Sequence, residues 1–204
     1  MYETTLYVGR FVHNGGVYIM QKRNLRTVWC TFTFVSLGIL VAIQIILTRL
    51  LAVNIGGFGR ITFGPVALIM AGLWFGPAAG ALTGLTADLL GCLMQGYAVN
   101  PLITLAAVCW GVVPSFFRPS ARVKNARQTA VLAAGIVLTG ALSSLLFNTM
   151  GLVLILGYNF YAIMPTRLVQ FAAMIPMYII VTILLYYSPA TDMVRQSLRS
   201  KTAA

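Results

Sequence analysis

The sequence predicts an all-α integral membrane protein, a six-transmembrane-helix bundle with both termini in the cytoplasm. Three observations lead there. The 204 residues are 59% hydrophobic and only 8% charged, where a soluble domain carries about 25% charged residues. The apolar residues come in continuous runs, which suits helices that satisfy their own backbone hydrogen bonds in lipid; a membrane β-barrel would alternate apolar and polar residues. The cations, finally, sit at the ends of the runs and fall mostly on one side of the membrane once six crossings are counted.

In chain order, residues 1–26 read as a polar cytoplasmic tail ending in Lys22, Arg23 and Arg26. It lacks the small-residue cleavage site of a signal peptide. Met20 heads a run typical of a membrane protein start, so 1–19 read as a dispensable extension and either Met1 or Met20 as the start. The membrane domain is expected over 27–187, with spans near 27–53, 61–75, 78–94, 101–117, 129–156 and 163–187, followed by a cytoplasmic tail over 188–204. A full crossing needs about 17–25 residues. Spans two to four are short by that measure, which predicts a wedge-shaped bundle with an outer mouth of loops and helix ends. Four spans with a re-entrant pair is the competing count.

Of the fourteen lysines and arginines, Arg49, Arg60 and Arg167 alone fall on the outer side under the six-span topology. Arg10, Lys22, Arg23, Arg26, Arg118, Arg122, Lys124, Arg127, Arg195, Arg199 and Lys201 fall inside. The net charge of +11 is therefore a topology signal, and a nucleic-acid partner is not expected. The outer arginines sit where the positive-inside rule disfavours them, so pairing or ligand chemistry must account for them.

The polar residues inside the runs carry the chemistry. Gly76, Gly80, Gly84 and Asp88 recur every four residues in span three. Small residues at that spacing bring another helix close, so Asp88 should face protein. A mid-membrane carboxylate costs at least about 2.5 kcal/mol unpaired. Its partner is either an arginine (Arg49, Arg60 or Arg167) or a bound ligand. Span five repeats the pattern with Gly140, Ser144 and Asn148; Asn148 serves either an interhelical hydrogen bond or a ligand. Span six opens with Met164-Pro165-Thr166-Arg167 and continues through Gln170, Phe171, Met174 and Tyr178 at three- and four-residue steps. One helix face thus presents a guanidinium, an amide, aromatic rings and a thioether.

Arg60, Arg167, Tyr97 and Asn100 gather at the outer face, with Asp88 and Asn148 in the outer half of their helices. Phe63, Trp110, Phe171 and Tyr97 supply flat apolar walls. A pocket of arginines, amides and rings suits a planar anionic ligand, because an arginine fork fits a carboxylate and rings stack. Catalysis and metal binding have almost nothing to work with. There is no nucleophile–base set and no metal-ligand spacing, and Cys30, Cys92 and Cys109 read as small buried hydrophobes. Gly56-Gly57-Phe58-Gly59 lacks the following GK[ST] of a phosphate loop. Any ATP-driven step must come from another chain. Gly38 and Ala42 in span one form a small-residue pair suited either to internal packing or to docking of a partner membrane protein. The rival reading of the whole pattern is a small membrane scaffold without a ligand.

The run from Arg60 through Gly91, with its R-I-x-F and A-D-x-x-G blocks, resembles the substrate-binding S components of energy-coupling factor (ECF) vitamin transporters, most closely their folate-specific branch. Gly96-Tyr97 through Asn100-Pro101, Phe147-Asn148-Thr149 and Pro165-Thr166-Arg167-Leu168 are similar to that branch in order and spacing. The resemblance implies six helices in a bacterial cell membrane and folate or a related pterin captured outside, with another vitamin or precursor as the alternative substrate. It implies assembly with a transmembrane coupling subunit and two ATPases that use the ATP, this chain needing no cofactor. Release inside would follow a reorientation of the S component in the membrane. By match to the motif, Arg60, Phe63, Asn100, Pro101, Asn148 and Arg167 would line the folate site. Gly38 and Ala42 match the coupling-subunit contact. Asp88, Tyr97 and Phe171 complete the expected ligand set, Tyr97, Phe63 and Phe171 as stacking walls and Asp88 toward the donor-rich pterin edge.

Overall fold

A computed structural model describes residues 12–13, 16–17, 31–54, 60–96, 98–119 and 126–202. The expected N-terminal tail, with both candidate starts, lies almost wholly outside the described residues. Within it β1 (Val12–His13) and β2 (Gly16–Val17) pair antiparallel.

The protein is a helical membrane protein. Among the described residues, four helical rods are long and apolar enough to cross a bilayer: Thr31–Leu50, Pro77–Gln95, Ala126–Ile155 and Phe160–Tyr186. Two shorter apolar helices, Gly64–Phe75 and Pro101–Phe116, complete the set. Span three, expected to be short, is a helix of 19 residues, because it starts directly at Pro77. Many large apolar side chains point outward, among them Phe34, Ile39, Ile180 and Leu184. Such a surface suits lipid rather than water.

The first rod is α1 (Thr31–Ile45) followed by a π-helical turn, Ile46–Leu50. Thr33, Leu37, Leu40 and Gln44 of α1 face the core, while Gly38 and Ala42 lie on its exposed side. A short hairpin, β3 (Val53–Asn54) with β4 (Arg60–Ile61), leads into α2 (Gly64–Phe75). Ten of the 12 residues of α2 are buried. A helix apolar all round belongs inside a bundle, and at 1.5 Å per residue α2 is only about 18 Å long. It is the central post around which α1, α3, α4 and the long C-terminal rod stand.

Gly76 ends α2 at φ 99° and Pro77 opens α3 (Pro77–Gln95) at once. A left-handed φ favours glycine, and proline suits a first helical position. Gly96, at φ 67°, then ends α3. The next helix is α4 (Pro101–Phe116), antiparallel to α3 and in register with its small-residue stripe. A Cβ built on Gly80 would fall on the Gly111 carbonyl, and one on Gly111 on the Gly80 carbonyl. Gly84 faces Ala107 in the same way, and Gly72 of α2 also abuts the Gly111 carbonyl. One step further along, Thr104 Oγ1 donates to Asp88 Oδ2 at 2.7 Å. The stripe therefore turns Asp88 onto α4, as its spacing predicts. Arg49 reaches across Gly91 and donates to Gln95 Oε1, tying the end of the first rod to α3.

The third long rod is α5 (Ala126–Gly140), a π-helical stretch Ala141–Asn148 and α6 (Thr149–Leu156), ended by Gly157 at φ 72°. The fourth is α7 (Phe160–Tyr186). The proline in Met164-Pro165 predicts a helix start there. Instead α7 begins a turn earlier, where the Asn159 side chain caps the Tyr161 N–H at 3.0 Å. Pro165 then sits inside the helix, and Thr166 Oγ1 takes up the Ile163 carbonyl at 2.7 Å. The C-terminal segment is also helical, α8 (Pro189–Thr202). Its Val194 and Leu198 pack on Leu37, Leu40, Ala71 and Phe75. Thr191 Oγ1 accepts from Trp74 Nε1 at 3.0 Å, and Arg195 donates to Tyr186 Oη at 2.7 Å.

The Gly80–Gly111 contact is backbone on backbone, so no rotamer change relieves an added methyl. Gly80→Ala is expected to cost about 1–3 kcal/mol or more and to lower the melting temperature in detergent by several degrees. Gly38→Ala, where a Cβ meets nothing, should leave it unchanged.

Candidate functional site

A cavity of about 270 Å³ opens among α7, the third rod, α4 and the start of α2. It lies near the lower end of the roughly 300–1,000 Å³ typical of small-molecule sites. Arg167, Gln170, Phe171, Met174 and Tyr178 of α7 all line it. Their spacing puts them on one stripe, and the structure turns that stripe inward. Gly140, Ser144 and Asn148 face them from the third rod. Trp110 enters from α4, and Thr62 and Pro65 from the start of α2.

Ser144 and Asn148 belong to the π-helical stretch. Such stretches are rare and recur at functional sites. Thr149 Oγ1 donates to the Ser144 carbonyl five residues back at 3.2 Å, which helps hold the wider turn. Gly140 makes room first for Ile175 and then for Phe171: a Cβ there would overlap Ile175 Cδ1 and stand 3.1 Å from the Phe171 ring edge. The Phe171 ring is half-buried against it.

The guanidinium of Arg167 is half-buried and donates to Gln170 Oε1 at 3.4 Å. That contact leaves most of its five donors to the cavity. Trp110 and Tyr178 meet edge to face with centroids 5.3 Å apart, a favoured aromatic geometry. Tyr178 Oη donates to the Thr62 carbonyl at 2.8 Å. The cavity thus joins one cation, two amides and three rings. That combination can grip a flat, anionic, hydrogen-bonding molecule.

Of the residues the sequence singled out, Asn148, Arg167 and Phe171 come together at the cavity. Asn100 and Asp88 have protein partners. Asn100 is buried; its Oδ1 accepts from the Leu102 and Ile103 N–H groups at 3.0 and 3.4 Å, and its Nδ2 donates to the Gly151 carbonyl at 2.9 Å. It caps α4 and pins it to α6. Pro101 follows at the first position of α4 and is exposed. Phe63 is the half-buried cap residue of α2, outside the cavity lining. Tyr97 and the side chain of Arg60 lie outside the described residues; the Arg60 backbone is in β4, two residues before Thr62. Thr62, Pro65 and Ile175 line the cavity and were not singled out by sequence. Thr62 and Pro65 stand inside the R-I-T-F-G-P run, and proximity to Arg60 was their one signal.

These features define a membrane-embedded small-molecule-binding protein. The family described as "ECF transporter, substrate-specific component" matches residues 32–186, and the chain belongs to it. The family is a substrate-binding component of transporters, not an enzyme. The folate transporter FolT of Clostridium novyi (strain NT) is 32% identical over 149 residues, 72% of this chain and 83% of that one. Two solved structures share the fold at 23% identity. A crystal structure of FolT bound with folic acid superposes with a TM-score of 0.63, covering 76% of this chain and 92% of that one. An S component of a bacterial ECF transporter gives 0.55, covering 79% and 97%.

The two asparagines should separate cleanly. Asn100→Ala removes a buried cap and an interhelical bond, about 1–2 kcal/mol, and should lower the melting temperature by a few degrees. Asn148→Ala, at the cavity wall, should leave it nearly unchanged. Equal losses in thermal unfolding would contradict this division.

Proposed function

We propose that this chain is the folate-binding S component of an ECF-type importer. It captures folate or a closely related pterin outside the cell. With a coupling subunit and two ATPases it reorients in the membrane and releases the vitamin inside. In this reading all six apolar helices cross the bacterial plasma membrane, both termini are cytoplasmic, and ATP is used by the partners alone. The cation count supports that orientation: with both termini inside, eleven of the fourteen lysines and arginines would fall on the cytoplasmic side.

The observation that carries the reading is the cavity, where Arg167, Asn148 and Gln170 face Trp110, Phe171 and Tyr178. Folate pairs a flat hydrogen-bonding pterin with a glutamate tail. Its rings suit the aromatic walls, its pterin edge suits the amides of Asn148 and Gln170, and its carboxylates suit Arg167 and Arg60. The named relatives, a folate transporter and FolT bound with folic acid, support the same ligand. Asp88 and Asn100 hold the frame through Thr104 and Gly151. Phe63 caps α2 and Pro101 opens α4, and in this reading both, with Tyr97, belong to the mouth of the site. The exposed Gly38–Ala42 stripe of α1 offers the coupling subunit a close approach, since a Cβ on Gly38 meets nothing in this chain.

Purified protein titrated calorimetrically with folate should saturate at micromolar concentration or below, and unrelated vitamins should not compete. No saturation, or displacement by another vitamin, would overturn the assignment. Arg167→Ala should weaken binding several-fold to a hundredfold, about 1–3 kcal/mol for a charged hydrogen-bonding group. Unchanged affinity would remove Arg167 from the site.

A further inference from the structure

The third rod changes its inward face partway along. The buried positions Leu132, Ile136 and Thr139 of α5 are followed by Ser143, all at three- and four-residue steps. The same steps would next bury Leu146 and Met150, but both are exposed, and Thr149 and Gly151 are buried instead. The change falls in and just beyond the π-helical stretch Ala141–Asn148, where bonding five residues apart adds a residue to the turn. Its effect reaches the cavity. At about 100° per residue, an unbroken α-helix would bring Phe147 to within about 20° of Gly140 and carry Asn148 about 80° past it. In the structure Gly140, Ser144 and Asn148 line the cavity together, and Phe147 does not. The extra residue thus puts an amide where a phenyl ring would stand.

Two fully buried hydroxyls hold that register, and neither lines the cavity. The Thr149 N–H goes to the Leu146 carbonyl, while Thr149 Oγ1 donates to the Ser144 carbonyl, five residues back, at 3.2 Å. The hydroxyl therefore spans the π interval that the backbone N–H leaves. Ser143 Oγ donates to the Ala106 carbonyl at 2.9 Å, and beyond the stretch the Gly151 carbonyl accepts from Asn100 Nδ2 at 2.9 Å. These two pins to α4 are eight residues apart on the third rod, 143 to 151, and six apart on α4, 100 to 106. The wider turn takes up the surplus.

We infer that Thr149 and Ser143 are positioning residues for the ligand's flat polar end: they hold the π register that gives the cavity Asn148 in place of Phe147. This rests on the folate reading and deepens it. An amide fixed in its bound geometry binds more tightly than a free one, because the ordering cost is already met.

The test is Thr149→Val, which keeps the branched shape and removes the hydroxyl, with Thr149→Ser as the variant that keeps it. Binding is measured calorimetrically for folic acid and for pteroic acid, the same molecule without its glutamate; both carry the pterin. Thr149→Val should weaken both about three- to tenfold, the change expected of one hydrogen bond, and Thr149→Ser should bind both as the wild type does. In an Asn148→Ala background Thr149→Val should add little, because the amide it positions is gone. A loss confined to folic acid, additive losses with Asn148→Ala, no loss for either ligand, or no rescue by serine would overturn the inference. If Thr149→Val does not survive purification, Ser143→Ala removes the other hydroxyl and should give the same loss, again absent in the Asn148→Ala background. Failure of wild-type protein to bind folic acid would instead sink the functional reading, so the two failures are distinguishable.

Discussion

Everything in this structure depends on how closely three helices approach at Gly111. In lipid the tails are as apolar as the side chains, so burial alone cannot hold helices together; close van der Waals packing and interhelical hydrogen bonds must do it. Gly72 of α2 and Gly80 of α3 both abut the Gly111 carbonyl of α4. That junction lets the short α2 stand inside the bundle, nearly all of it buried. It also decides where Trp110 goes. The neighbour of Gly111 enters the cavity beside Tyr178, so the packing that holds the bundle also builds the aromatic wall.

Polar groups within the bundle divide by the same logic. Those on tightly packed faces have protein partners: Thr104 for Asp88, the Ala106 carbonyl for Ser143, and the Gly151 carbonyl and the start of α4 for Asn100. Those opposite the wide π-helical stretch remain at a cavity surface. The stretch widens the third rod where α7 presents its polar stripe. Ligand capacity therefore sits where helix packing is loosest, and rigidity sits on the α3–α4 side.

The stripes were legible in sequence because helical spacing is a property of the chain itself. Arg167 to Tyr178 on α7 and Gly140 to Asn148 on the third rod both needed only three- and four-residue steps. The inward turn of Asp88 was legible for the same reason. Its partner was not, since a threonine sixteen residues on carries no charge signal. Thr62 and Pro65 escaped notice because Thr62 lies between β4 and α2 and Pro65 in the first turn of a helix that is apolar all round, so no periodicity marks a face at either. α8 was read as a tail because its polar residues outnumber its apolar ones. Its signs were Ser188-Pro189 at the start and Val194 and Leu198 one turn apart, and the packing that makes them useful comes from α1 and α2.

The central claim is that a flat vitamin lies against Trp110 in this cavity. The chain has three tryptophans, so replacing Trp29 and Trp74 by phenylalanine leaves Trp110 as the single emitter. Titration of that variant with folic acid should quench its fluorescence saturably, with the affinity found calorimetrically. Full binding by calorimetry with unchanged Trp110 emission would place the ligand elsewhere and contradict the account.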